Sequence, residues 1–219
     1  KLRDWANRIK NDFTNINTVT TKGGSEGFAP RLSFAEVKNL NVGAHEDRKN
    51  SAESDTFSIK ATITAISHNQ EKPPWYTAAP DASVKAKVIN DGKGSYFCAV
   101  NNKTYSTYEL KYVLRFCATD WSGQQWLNAF DKRAQDILTV PVEELDKTIK
   151  DGDLDKFEEV FQRANFKTKI FKVRAKLSNF QDERRVHYDA VGIQDVDLKA
   201  ECQLLLDKIS ELDQIQSIH

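Results

Sequence analysis

The segment 56–67 restricts the fold of this 219-residue chain more than any other stretch. Its apolar residues stand at every second position, at Phe57, Ile59, Ala61 and Ile63, and most of the positions between them are polar. An alternation of period two predicts a strand with one buried side and one solvent-facing side. The fold must therefore contain a half-buried sheet.

The other patterns predict the order of the remaining elements. Strand patterns cover 95–98, 111–119 and 126–130, helical spacing covers 134–138, 142–149 and 157–161, and strand patterns return at 169–178 and 185–193, around a hairpin loop at 181–183. This order predicts a mainly β chain with helices, arranged as a five-stranded, OB-like barrel with two to three helices between strands three and four. Other small α+β folds share the same order.

The chain divides into three parts. Residues 1–30 combine an apolar helical stripe (Leu2, Trp5, Ile9 and Phe13) with a Gly-containing linker, residues 31–195 form the body with a ribbon-like insertion at about 69–107, and residues 196–219 form a terminal helix. Because the chain starts at Lys and contains no Met, we expect it to be a fragment of a longer protein.

The terminal helix carries a narrow apolar seam. Its positions are spaced four, three, four and three, at Leu198, Cys202, Leu205, Ile209 and Leu212. Such an a/d pattern of about two heptads favours packing against a partner helix. The alternative is a helix that packs back on its own barrel, although such helices usually show a wider apolar stripe.

The charges exclude a DNA-binding protein that is basic over its whole surface and favour one with a local basic face. The chain has 32 Lys and Arg and 32 Asp and Glu, so it has no basic field over the whole molecule. Lys172, Arg174 and Lys176 nevertheless share one face of a strand, with Arg185 on the next strand, and 169–177 contain no acid. This basic stripe predicts a contact with a polyanion, and the alternative is an ordinary solvated strand face.

Several other classes are disfavoured. No apolar run approaches the roughly 18 residues of a membrane helix. Three cysteines are too few, and an odd number, for a disulfide framework, which favours a cytosolic or nuclear compartment. The four histidines are scattered and no Gly-rich phosphate loop occurs, so we do not expect an enzyme.

Five motifs resemble, in the right order, the C-terminal DNA-binding domain of the replication protein A large subunit. They are FAEVKNL at 34–40, QWLNAF at 125–130, FEEVFQRANF at 157–166, IFKVRAK at 170–176 and NFQDERR at 179–185. The resemblance covers roughly residues 31–215. It implies an OB fold that binds single-stranded DNA in the nucleus. It also implies a terminal helix that joins the helices of two smaller OB-fold subunits in a three-helix bundle.

The resemblance also implies positions for stacking aromatic residues. Phe130 and Phe180 match two of them, while a third family aromatic falls on Leu110, two residues after Tyr108. Bases stack on such rings while cations follow the phosphates. The alternative for Phe130 is packing in the core, whereas Phe180 lies in a polar loop where burial is harder to arrange.

The zinc ribbon of the family is the main departure. Its four cysteine positions fall on Ala79, Val84, Cys98 and Asn101, and a structural zinc site needs four N or S ligands. We therefore expect no zinc, and a ribbon held by packing around Trp75, Tyr76, Val88, Tyr96, Phe97 and Val100. His68 could be recruited as a ligand, and the alternative is a solvated loop histidine.

The loss of these ligands resembles a diverged paralogue. One such class is the telomerase-associated large-subunit-like protein, which holds single-stranded telomeric DNA, and telomerase subunits would then be further partners. The alternative function is a structural trimerisation platform in replication, repair or meiosis, with weak DNA contact.

Overall fold

The computed structural model describes residues 31–44, 54–81, 83–84, 86–180 and 183–216. The predicted N-terminal helix and linker at 1–30 and the loop residues 181–182 lie outside this part. In chain order the elements are α1 (Phe34–Asn39), β1 (Ser54–Ser67), β2 (Trp75–Ala78), β3 (Ile89–Asn90), β4 (Tyr96–Cys98), β5 (Lys103–Tyr105), β6 (Glu109–Thr119), β7 (Gln124–Phe130), α2 (Lys132–Leu138), α3 (Val142–Lys150), α4 (Leu154–Ala164), β8 (Thr168–Phe180), β9 (Glu183–Asp195) and α5 (Leu198–Gln216).

Strand β1 joins two parts of the sheet into a ring. Its first part pairs with β8, from Ser54 to Thr62, and its second part pairs with β6, up to Ser67. The strand order β1-β8-β9-β7-β6 therefore returns to β1. This ring of five strands confirms the predicted mainly β architecture.

The core fills the inside of the ring. The alternating residues of β1, Phe57, Ile59, Ala61 and Ile63, are buried as predicted. Large side chains of the other strands are buried in the same core, among them Leu114, Phe116, Leu127, Phe171 and Val173. The next layer of the same core comes from the three helices between β7 and β8, through residues such as Leu145, Phe157 and Phe161. The predicted helical insertion is therefore present, with three helices.

His68 fastens the end of β1 to α4. Its ring stacks on Phe161 with centroids 4.0 Å apart, its Nε2 lies 2.8 Å from the Glu158 carboxylate, and its Nδ1 lies 2.9 Å from the carbonyl of Ile66. Both ring nitrogens are thus engaged within the protein. The interpretation of His68 as a solvated loop residue is therefore wrong, and a role as a zinc ligand would require the ring to give up one of these contacts.

The insertion after β1 forms a small sheet of its own. Strands β3, β4 and β5 pair in that order, while β2 extends the main sheet beside β6. The predicted packing is only partly right. Val88 is buried in a small apolar cluster of the insertion, and Tyr96 packs against that cluster. Trp75, in contrast, packs on the main core, and Phe97 and Val100 are exposed.

Helix α5 follows β9 and leaves its apolar side chains in water. Leu198, Leu205 and Ile209 are 75%, 52% and 54% exposed, and Cys202 is exposed too. Among the described side chains of the helix, only Glu201 is buried. Packing of these seam residues on their own sheet, the alternative from the sequence, is therefore wrong. The side chain of Leu212 lies outside the described part.

Within the described residues, no helix combines the length and apolarity needed to span a bilayer.

Candidate nucleic-acid interface

Strand β7 presents two aromatic rings on its outer side. Trp126 and Phe130 are 40% and 44% exposed, while Leu127 and Ala129 between them point inward and are fully buried. Residues at even spacing share one face of a strand, so Asn128 lies between the two rings. Packing of Phe130 in the core, the alternative from the sequence, is therefore wrong.

Strand β6 supports this side of β7. Val113 stands opposite Phe130 and Arg115 stands opposite Asn128 in the antiparallel register. The guanidinium carbon of Arg115 lies 5.0 Å from the ring centroid of Trp126, which is a cation–π contact. This contact holds the indole in place and leaves the arginine at the surface beside it.

A polar row continues across the next two strands. The Nδ2 of Asn128 donates to Asp189 of β9 at 3.3 Å, and the Nη2 of Arg174 on β8 donates to the other carboxylate oxygen at 3.2 Å. Arg115, Asn128, Asp189 and Arg174 therefore form one row over four strands. We call the surface made by this row with Val113, Trp126 and Phe130 the aromatic face.

The basic stripe is less basic than the sequence suggests. Lys172, Arg174 and Lys176 do alternate with the buried Val173 and Ala175, so they share the outer side of β8. The sequence of 169–177 contains no acid, but β9 brings Asp189 to Arg174. The interpretation of the stripe as free of neutralising acids is therefore wrong, although Lys176 remains exposed.

The hairpin of β8 and β9 carries the remaining predicted residues. Arg185 is exposed and stands opposite Ser178, which continues the side of Lys172, Arg174 and Lys176. Phe180 is the last residue of β8 and pairs with Glu183, but its side chain lies outside the described part. The stacking role of Phe180 therefore stays a prediction.

Backbone strain lies directly beside Phe130. Asp131 has φ 41° and ψ −114° and precedes α2 without a side-chain cap. A residue other than glycine with this conformation costs of order 1–3 kcal/mol, which the surrounding packing must offset. The turn lets the chain leave β7 abruptly, and Phe130 ends the strand at the surface.

A turn of the chain before β1 packs against the base of the β8–β9 hairpin. The hydroxyl of Tyr188 lies 3.5 Å from the carbonyl of Val42, and burial raises the pKa of this tyrosine. The backbone N–H of Gly43 donates to Asp55 at 2.7 Å. These contacts attach the turn after α1 to β1 and to β9, the strand that carries Asp189.

Sequence reasoning missed five residues of the aromatic face. The patterns place them in strands but give them no binding role; they are Val113, Arg115, Trp126, Asn128 and Asp189. The signal was present, because Trp126 and Phe130 are four residues apart within one strand and must face the same way. The contact of Arg115 with Trp126 needs the register of β6 against β7, and the sequence does not provide it.

The ribbon does not fit the zinc ion that the resemblance implies. Ala79 and Cys98 are buried in one apolar cluster with Ala86 and Val88, and Val84 packs against it. The amide of Asn101 donates to the hydroxyl of Tyr105 at 2.6 Å instead. Within the described part of the chain, no three His, Cys, Asp or Glu side chains are grouped to share a metal ion.

A buried carboxylate anchors the start of α5. Glu201 accepts hydrogen bonds from Lys60 of β1 at 2.8 Å and from Arg31. Burial alone would raise the pKa of Glu201, but the hydrogen bonds and charges of Lys60 and Arg31 outweigh it and lower the pKa. Beyond this anchor, the apolar residues of the helix remain available to a partner.

Comparison with known families defines the class of this domain. Residues 56–205 match the family model described as the replication factor-A C-terminal domain. The chain is 33% identical over 193 residues to replication factor A protein 1 of Schizosaccharomyces pombe, which covers 88% of this chain. The chain therefore belongs to the replication factor-A C-terminal domain family.

Vertebrate relatives and solved structures agree with this assignment. The 70 kDa DNA-binding subunit of replication protein A from Xenopus laevis is 28% identical over 97% of the chain. A replication protein A heterotrimer bound to ssDNA contains a chain that matches 92% of this one, with a TM-score of 0.72 and 25% identity. A second match, yeast RPA bound to ssDNA, has a TM-score of 0.67 at 24% identity and supports the OB fold alone.

The chain corresponds to only part of these proteins. It spans 29% and 34% of the length of the two named relatives and 46% of the matching chain of the heterotrimer. The relatives are named as replication factor or DNA-binding subunits and not as enzymes, which agrees with the expectation from the sequence.

Proposed function

We propose that this domain binds single-stranded DNA on the aromatic face. The observation that carries the proposal is the pair of exposed rings on one strand, Trp126 and Phe130, with Arg115 and Arg174 beside them. Flat rings with cations close to them suit unpaired bases and their phosphates. The family assignment and the ssDNA in the matching heterotrimer support the same function.

A salt titration tests this proposal. Each phosphate contact with a single strand contributes a slope of about −0.7 to log K against log salt, so two or more contacts predict about −1.4 or steeper. The variant Lys176→Ala removes an exposed cation of the stripe and should make the slope shallower by about one contact. The matched change Lys150→Ala, on helix α3, should leave it unchanged.

The alternative is a trimerisation platform whose sheet contacts DNA weakly. Asp189 favours it, because this acid neutralises part of the charge at Arg174. A flat salt response with weak affinity would support the platform and contradict binding on the aromatic face.

We also propose that α5 joins the helices of two smaller OB-fold subunits. The exposure of Leu205 and Ile209 supports this, since isolated apolar seams of this length usually meet a partner. The heterotrimeric assembly of the matching structure is consistent with it. The protein would act in the nucleus, where the DNA that it binds is located.

We further propose that the bound strand is telomeric and that telomerase subunits are among the partners. The support is the replacement of the ribbon ligands by Ala79, Val84 and Asn101, which marks a diverged member of the family. Competition between a telomeric-repeat oligonucleotide and a scrambled one of the same composition tests this. Equal affinities would assign the domain to general replication or repair instead.

A further inference from the structure

The turn between β6 and β7 exposes a third aromatic ring. Trp121 is 89% exposed, the highest value among the large apolar side chains that the structure describes. Tryptophan is usually well buried, and a soluble domain gains nothing in stability from an indole left in water. An indole this exposed is accessible to a ligand.

The turn is held rigidly by hydrogen bonds. One carboxylate oxygen of Asp120 accepts from the backbone and hydroxyl of Ser122, both at 2.7 Å, and from the N–H of Gly123 at 2.9 Å. The other oxygen accepts from the N–H of Phe34 at 2.9 Å, and the hydroxyl of Ser122 accepts from the N–H of Ala35 at 2.9 Å. The turn and the start of α1 therefore hold each other, and the turn is preorganised around Trp121.

Trp121 lies in the turn directly before β7, at the end of the strand that carries Trp126 and away from Phe130. Trp121 and Trp126 are five positions apart, which corresponds to at most about 17 Å along an extended chain. Phe130, Trp126 and Trp121 thus follow one another from the end of β7 to the turn before its start. A single strand that covers the first two rings reaches the third with a few more nucleotides.

The surroundings of Trp121 suit a base better than a protein. The neighbours Ser122, Gly123, Gln124 and Gln125 are polar or lack a side chain, so the turn offers no continuous apolar patch of the kind that protein partners use. Both carboxylate oxygens of Asp120 are held inside the turn by four hydrogen-bond donors. One exposed ring is sufficient to stack one base.

We infer that Trp121 is an additional stacking position, occupied only by strands that extend past Trp126. The inference rests on the proposed binding of single-stranded DNA. It adds a subsite at one end of the aromatic face, and it predicts that affinity depends on oligonucleotide length through this residue.

The test compares two lengths of oligonucleotide. OB folds cover about 4–16 nucleotides, so fluorescence anisotropy would be measured with labelled oligo(dT) of about 4 and about 12 nucleotides. Trp121→Ala should weaken binding of the longer oligonucleotide by about 5- to 150-fold, the loss of one stacked base. It should leave the shorter one within about twofold, whereas Trp126→Ala should weaken both. Trp121→Phe, which keeps a ring, should restore most of the affinity.

The outcomes separate the inference from the proposed function. If Trp126→Ala weakens binding and Trp121→Ala changes neither length, or changes both equally, the extra stacking position is wrong and the function stands. If neither variant affects DNA while both remain folded, the proposed function fails as well. Loss of partner-subunit binding by Trp121→Ala, with DNA affinity intact, would assign the turn to a protein interface and overturn the inference.

Discussion

At the scale of single residues, Gly43 has the least room for a side chain among the glycines that the structure describes. Its φ of +84° is in the left-handed region, and a Cβ there would lie 2.7 Å from Val186 Cγ1 and 2.8 Å from Ala175 Cβ. The turn after α1 can therefore pack against β8 and β9 only if residue 43 has no side chain.

We expect Gly43→Ala to lower the free energy of unfolding by more than about 1 kcal/mol, because it adds a clash to the strained φ. The matched control is Gly94→Ala, since Gly94 has a φ of +85° and nothing within 4 Å of the added Cβ. Urea unfolding measures both variants. Equal losses of stability would show that the packing at Gly43 contributes nothing beyond the backbone strain.

At the scale of elements, the sequence was informative where a pattern was local. The alternation of Phe57, Ile59, Ala61 and Ile63 identified β1, because burial of one side of a strand requires an apolar residue at every second position. It could not identify the pairing of Arg174 with Asp189, because that depends on the register of the hairpin. A shift of the β8–β9 register by one residue would turn each acid of β9 to the other face of the sheet.

The anchor of α5 was unpredictable for a related reason. Glu201 is a charged residue outside the apolar seam of the helix, so the sequence pattern predicts that it is solvated. Its partner Arg31 is 170 positions earlier in the chain. Only the three-dimensional arrangement shows that this glutamate joins the helix to β1.

The anchor predicts a pH-dependent stability. The pKa of Glu201 is lowered in the fold. Its carboxylate therefore stabilises the protein at pH values above the usual glutamate pKa of 4.5, and this contribution is lost as the pH falls below that pKa. Glu201→Gln should cost about 1–3 kcal/mol at neutral pH, the usual range for hydrogen bonds to charged groups. The difference between wild type and variant should shrink towards low pH.

Denaturant unfolding between neutral pH and about one unit below the usual glutamate pKa measures this difference. The control is Glu159→Gln, an exposed carboxylate paired with Arg163, for which about 0–1 kcal/mol is expected. A constant difference across the whole pH range would rule out the charge of Glu201 as its cause.

The ribbon gives a second prediction at this scale. Since Ala79, Val84 and Cys98 pack in an apolar cluster, we expect no stoichiometric zinc and no change in melting temperature when a chelator is added. Elemental analysis of the purified domain, with and without chelator treatment, provides the measurement. One zinc per chain, with a loss of stability on its removal, would contradict the packing account.

At the scale of the whole molecule, the sheet and the terminal helix are separate functional surfaces. The aromatic face lies on β6, β7, β9 and β8, whereas the seam of α5 projects exposed apolar residues beyond the Glu201 anchor. DNA binding and subunit assembly should therefore be separable by mutation.

The double variant Leu205→Glu with Ile209→Glu tests this separation. Both residues are more than half exposed, so the melting temperature of the isolated domain should change by no more than about 2 °C. Partner association should fail, since burying two carboxylates in an apolar contact costs several kcal/mol. The control Lys199→Glu with Gln203→Glu keeps the spacing on the same helix and should retain the partners. A destabilised domain with normal partner binding would contradict the role of the α5 seam as a subunit interface.

The central claim is that exposed rings on β7 hold single-stranded DNA. Its most direct test measures the affinity of one oligonucleotide for wild type, Trp126→Ala, Phe130→Ala and the control Phe166→Ala, whose ring is 77% exposed in the connection between α4 and β8. Each of the first two variants should lose about 1–3 kcal/mol of binding free energy, and the control should lose none. Wild-type affinity of folded Trp126→Ala and Phe130→Ala would contradict the account.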